Sequence, residues 1–66
     1  MNGSSAEIRL LRIREVEKRV GLKRSSIYKM MTEGRFPKNV RIGKYAVAWR
    51  TDKIDQFIDE CTAADR

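Results

Sequence analysis

Apolar residues recur at helical spacing in three stretches of the chain and alternate with polar or small ones in a fourth. Ile13, Val16 and Val20 step by three and four, which predicts a helix over about residues 14–20 with those side chains on one face. The short apolar run at 10–13 leads into it. Gly21 supplies the left-handed conformation at which many helices end, and Leu22 follows as the apolar plug of the turn. Ile27, Met30 and Met31 repeat the pattern in a second helix, about 24–33, which Gly34 stops. At about 100° per residue, Ser25, Lys29 and Thr32 fall on the face opposite these, with Ser26 and Tyr28 beside them. Lys23 stands where Ser or Thr would make the better N-cap, so the first N–H groups of this helix have no obvious local acceptor. Water, Ser25 or a phosphate anion is the expected filler.

Phe36-Pro37 then redirects the chain, with Phe36 expected in the core. Residues 40–42 and 45–49 read as two short strands joined by Gly43-Lys44, a two-residue loop whose leading glycine suits a type II′ turn. Alternation groups Val40 with Ile42 and Tyr45 with Val47 and Trp49, turns Arg41 away from Val40 and Ile42, and leaves Lys44 at the tip. So short a hairpin must pack on the helices to persist. Thr51 is the expected cap of a last helix with Asp52 in its first turn, and Ile54, Phe57, Ile58 and Cys61 form its core stripe. Met30, Met31, Phe36, Tyr45 and Trp49 are read as core, and Cys61 as an inert buried thiol. The order helix, turn, helix, hairpin, helix predicts an α+β, mainly helical fold, a compact winged helix-turn-helix. A disordered polar tail over 1–8, a domain over 9–61 and a frayed end over 62–66 are expected.

Charge sharpens this picture. The net charge is +6, but residues 18–50 carry ten basic side chains against the single acid Glu33. Residues 51–66 hold five acids and two bases. The positive part suits a polyanion, although a basic surface also serves solubility. Arg50 is placed to pair with an acid of the last helix.

Composition excludes several classes. At 66 residues the chain makes one small domain with a thin core. With a single cysteine and no histidine there is no internal disulfide, no metal set and no activated nucleophile. Asp52, Asp55 and Asp59 line one helix face, which fits a solvated surface better than a two-metal site. No glycine-rich phosphate cradle is present, so neither an enzyme nor a cofactor is expected. No apolar run approaches the roughly 18 residues of a membrane span, and the opening residues lack a signal-peptide core. A reducing cytoplasm fits best.

Three stretches carry a family resemblance: LLRIREVEKRVGL at 10–22, RSSIYKMMTEGRFPKNVRIG at 24–43 and AVAWRTDKIDQFI at 46–58. They resemble the AlpA family of small bacterial prophage regulators, within the MerR-like and excisionase-like winged-helix group. The Gly-Arg-Phe-Pro run and the Trp-Arg pair before the last helix are its more specific pieces; Lys23 departs from the serine usual in the family. The resemblance implies a DNA-binding regulator of a mobile element, nucleoid-associated in a bacterial cytoplasm, similar to activators of integrase genes, with some relatives acting as excisionases.

Ser25, Ser26, Tyr28, Lys29 and Thr32 are the candidates for contacts with base edges, since Lys donates to guanine and Ser or Thr serves several bases. Lys23, Arg24, Arg35, Lys38, Arg41 and Lys44 are the candidates for phosphates, the last two from the hairpin as a wing. The expected partner is double-stranded DNA, bound by more than one copy, with an integrase or RNA polymerase as a further partner. Two other readings stand beside a transcription regulator: an excisionase-type factor that bends DNA, and an interaction module that docks a basic protein through its acidic last helix.

Overall fold

One strand organises the molecule. The computed structural model describes residues 8–64 in the order β1 (Leu10–Leu11), α1 (Ile13–Val20), α2 (Arg24–Thr32), β2 (Val40–Arg41), β3 (Val47–Arg50) and α3 (Thr51–Ala64). β3 is the central strand of a three-stranded antiparallel sheet, between β1 and β2. Leu11 lies opposite Trp49, and Val40 opposite Ala48. The expected tail lies outside the described residues except for Ile8, which is exposed. β1 has only two residues, too few for any alternation, and the sequence pattern showed no strand there.

The helices pack on one side of this sheet around Leu11, Val16, Ile27, Phe36, Trp49 and Ile54. Trp49, Ile27, Ile54 and Val16 are fully enclosed. The indole N–H of Trp49 donates to the Pro37 carbonyl at 3.0 Å, so burying this large side chain strands no donor. The Phe36 ring meets Phe57 at 4.6 Å between centroids and joins the loop after α2 to α3. Met30, Met31 and Ile58 are half-buried against the same core.

Both glycine stops act as expected. Gly21 has φ 74°, and its N–H donates to the Glu17 carbonyl at 2.8 Å. Gly34 has φ 72° and donates to Met31, while Arg35 N–H reaches back to Met30 at 2.8 Å. That pair of bonds is a Schellman closure of α2.

Four expectations need correction. The Gly43-Lys44 turn is not a two-residue type II′ turn: Arg41 pairs with Val47 and Ile42 N–H donates to Ala46 O at 2.9 Å, so the loop is Gly43-Lys44-Tyr45. Gly43 does not adopt the positive φ that a II′ turn requires. Tyr45 therefore leaves the strand and stands 93% exposed instead of entering the core. Thr51 does not cap α3 from outside, because the helix begins at Thr51 itself. Its hydroxyl accepts from Arg9 N–H at 2.9 Å, and its own N–H donates to Arg9 O at 2.8 Å, pinning the chain just before β1. Cys61 is exposed, since the apolar stripe of α3 leaves the body after Ile58. Of the segment 62–66, Thr62 to Ala64 are helical, and residues 65–66 lie outside the described residues.

Candidate nucleic-acid interface

α1 and α2 are joined by the short turn Gly21-Leu22-Lys23, and α2 presents its polar face outward. Ile27 on the inner side is completely enclosed, whereas Ser25, Ser26, Lys29 and Thr32 are exposed. Tyr28 is half-buried: its ring meets Trp49 edge-on at 6.0 Å, so it bridges the core and the exposed face. The Thr32 hydroxyl donates to the Lys29 carbonyl at 2.6 Å, which fixes its rotor and leaves its oxygen lone pairs free to accept.

The start of α2 differs from the expectation that water, Ser25 or a phosphate fills the missing cap. Lys23 has extended dihedrals and makes no capping bond with its side chain. Glu17, from α1, provides the acceptor: its Oε2 takes the Arg24 N–H at 2.7 Å. A carboxylate there also meets the positive end of the helix dipole. The acceptor lies seven residues back on another helix, beyond the reach of local cap rules. The signal open to the sequence was Glu17 itself, an acid four residues before the helix-ending glycine.

The remaining candidates lie on the two segments that follow α2. Arg35 and Lys38 are exposed on the loop, and Arg35 is paired with Glu33 at 3.2 Å, which partly offsets its charge. Arg41 and Lys44 are exposed on the hairpin, as are Lys23 and Arg24 on the turn side of α2. The Lys44 ammonium stands 6.0 Å from the Tyr45 ring centre, so the tip joins a cation to an exposed aromatic that the pattern had placed inside. Trp49 ties these parts together through Tyr28 on α2 and Pro37 on the loop.

Two acids of α3 face arginines. Arg50 grips Asp52 through both oxygens, at 3.1 and 3.0 Å, and this hydrogen-bonded guanidinium lowers the Asp52 pKa below the usual aspartate value. Asp55 faces Arg19 of α1 at 3.8 Å. Among the described residues, no group of three or more His, Cys, Asp or Glu side chains could hold a metal ion. No helix of the structure is long and apolar enough to cross a membrane.

A helix pair with a glycine turn, an outward polar second helix and a small basic hairpin define a helix-turn-helix protein with a wing. The chain belongs to the AlpA family: the family described as prophage CP4-57 regulatory protein (AlpA) matches residues 9–62. It is similar to the uncharacterized protein ORF88 of Enterobacteria phage P4, with 46% identity over 50 residues. That match covers 76% of this chain but 57% of the relative, so the chain spans little more than half of that protein's length. No solved structure matches the chain.

Proposed function

We propose that this protein regulates transcription by binding double-stranded DNA at a preferred sequence, with an integrase gene of the same mobile element as its target. The observation that carries the reading is the division of α2, where Ile27 is fully enclosed and Ser25, Lys29 and Thr32 are open. In this reading α2 lies in the major groove. Lys29 donates to guanine edges, while Ser25 and Thr32 serve neighbouring bases, with Ser26 and Tyr28 at the border. Lys23, Arg24, Arg35 and Lys38 hold phosphates and so fix orientation without reading sequence. The hairpin acts as a wing, with Arg41 and Lys44 reaching the adjacent backbone and Tyr45 extending the tip.

Docking of a basic protein on α3 has less support, because Asp52 and Asp55 already face arginines of the same chain. Any contact with an integrase or RNA polymerase would follow DNA binding. The test compares Lys29→Ala and Lys44→Ala on preferred and random duplexes at two salt concentrations. Lys29→Ala should weaken preferred DNA selectively, and Lys44→Ala should weaken both alike. With about five phosphates engaged, log affinity should fall against log salt with a slope of about −4.5. A flat salt response would overturn the DNA reading.

A further inference from the structure

Among the described residues, the sheet face opposite Trp49 carries exposed apolar side chains. Side chains directly opposite one another in an antiparallel pair share a face, and neighbours along a strand alternate. The register therefore puts Leu10, Arg50, Val40 and the fully enclosed Ala48 on the side opposite Trp49, and Ile42 joins them through its bond to Ala46. Leu10, Val40 and Ile42 are 50%, 38% and 42% exposed, and none of them belongs to the buried core cluster.

Two further observations say what meets this face. The first is charge: the ionic group of these strands on that side is Arg50, and Asp52 neutralises it with two hydrogen bonds. On a chain of net charge +6, a neutral apolar surface is where a second copy can approach without repulsion. The second is size. Three half-exposed side chains offer on the order of 200 Å² per copy, against about 800 Å² per partner in a stable complex. The face is too small to hold a dimer in free solution but large enough to couple copies that DNA has already brought together. It also leaves α2 free, because α2 touches Trp49 on the opposite side of the sheet.

We infer that this outer sheet face, Leu10 with Val40 and Ile42, is the contact between two copies bound side by side on DNA. The inference rests on the DNA reading above and names the surface through which copies cooperate. The same face used twice makes a two-fold contact, so the paired half-sites run in inverted orientation.

The experiment uses the full chain and duplexes that it recovers itself from a random-sequence library. Inverted repeats should be recovered, with the second copy binding about tenfold more tightly than the first, within the ordinary range of couplings. The Val40→Thr/Ile42→Thr variant keeps β-branched side chains. It should retain first-copy affinity and Tm while the preference for a second copy drops below about twofold. Leu10→Gln, on the other edge strand, should act in the same direction. Recovery of single or direct-repeat sites, or unchanged cooperativity in both variants, overturns the inference and leaves the DNA reading intact. A lowered Tm with unchanged cooperativity in both variants also overturns it, because the face would then be covered by the chain itself. If no DNA is retained even at low salt, the DNA reading fails and this inference fails with it.

Discussion

Removing the Glu17 carboxylate should loosen α2 without weakening the DNA binding proposed for it. Glu17 Oε2 accepts the Arg24 N–H at 2.7 Å, and Lys23 provides no capping bond of its own. Loss of an N-cap acceptor costs about 0.5–2 kcal/mol, and loss of a carboxylate at a helix N-terminus about 0.3–1 kcal/mol. The two figures describe overlapping parts of one contact, so Glu17→Ala should destabilise by about 1 kcal/mol. In a domain of this size that corresponds to a fall in Tm of about 4–8 °C. Glu17→Gln keeps an acceptor and loses the charge, so it should fall between wild type and Ala. The assay is thermal unfolding by circular dichroism of the three proteins, with duplex binding measured below the transition. Affinity should be unchanged or slightly higher, because a negative charge leaves the region where Lys23 and Arg24 are proposed to meet phosphates. Equal Tm values for all three would refute the capping role. A Glu17→Ala variant that kept its Tm but lost DNA affinity would make Glu17 part of the interface instead.

Three further outcomes follow from particular contacts. Gly34→Ala should destabilise by about 1–2 kcal/mol, purely through the backbone, since φ is 72° and nothing lies near an added Cβ. Gly34→Asn should recover part of that loss, and equal Tm values for the two variants would contradict it. Trp49→Phe removes the bond to the Pro37 carbonyl and leaves space in the core, for a loss of about 2–3 kcal/mol in chemical denaturation. Asp52 has its pKa lowered by the Arg50 hydrogen bond, so its contribution to stability is present above the unfolded value and is lost as pH falls through the folded one. Asp52→Asn should therefore lower Tm near neutrality and converge with wild type once the pH falls below the lowered pKa of Asp52, and a constant difference down through the acid range would rule out this linkage.

Helices and their ends were legible because one-dimensional rules govern them. Ile27, Met30 and Met31 mark an inner face by period alone, and Gly21 and Gly34 occupy positions where a left-handed residue must close the last turn. The outward line of Ser25, Lys29 and Thr32 follows from the same period. Glu17 escaped this reasoning because its partner is brought near only when α1 and α2 dock. Thr51 escaped because its hydroxyl serves a segment 42 residues away.

The hairpin shows why register is harder to read than period. A loop of Gly43-Lys44 would set Ile42 against Tyr45 and gather Val40, Ile42, Tyr45, Val47 and Trp49 on one side. The observed three-residue loop shifts the pairing by one, and a one-residue shift exchanges the faces of a strand. Val40 and Ile42 then meet the small Ala48 and Ala46, while Trp49 and Val47 face the inner side. The sizes carried this signal: large residues oppose small ones across the outer face, whereas the two-residue loop would set large against large. The reasoning can be tested by deleting Tyr45. The remaining Gly43-Lys44 loop still joins Ile42 to Ala46, now through the favoured two-residue geometry, so the register is preserved. Shortening a loop by one residue changes its closure entropy by only a few tenths of a kcal/mol, and the lost side chain is 93% exposed. The deletion variant should melt within about 5 °C of wild type and keep Trp49 buried by fluorescence, while losing whatever DNA affinity the wing tip contributes. A large fall in Tm together with a red-shifted Trp49 emission would mean that the three-residue loop itself, and not the pairing of Ile42 with Ala46, sets the register.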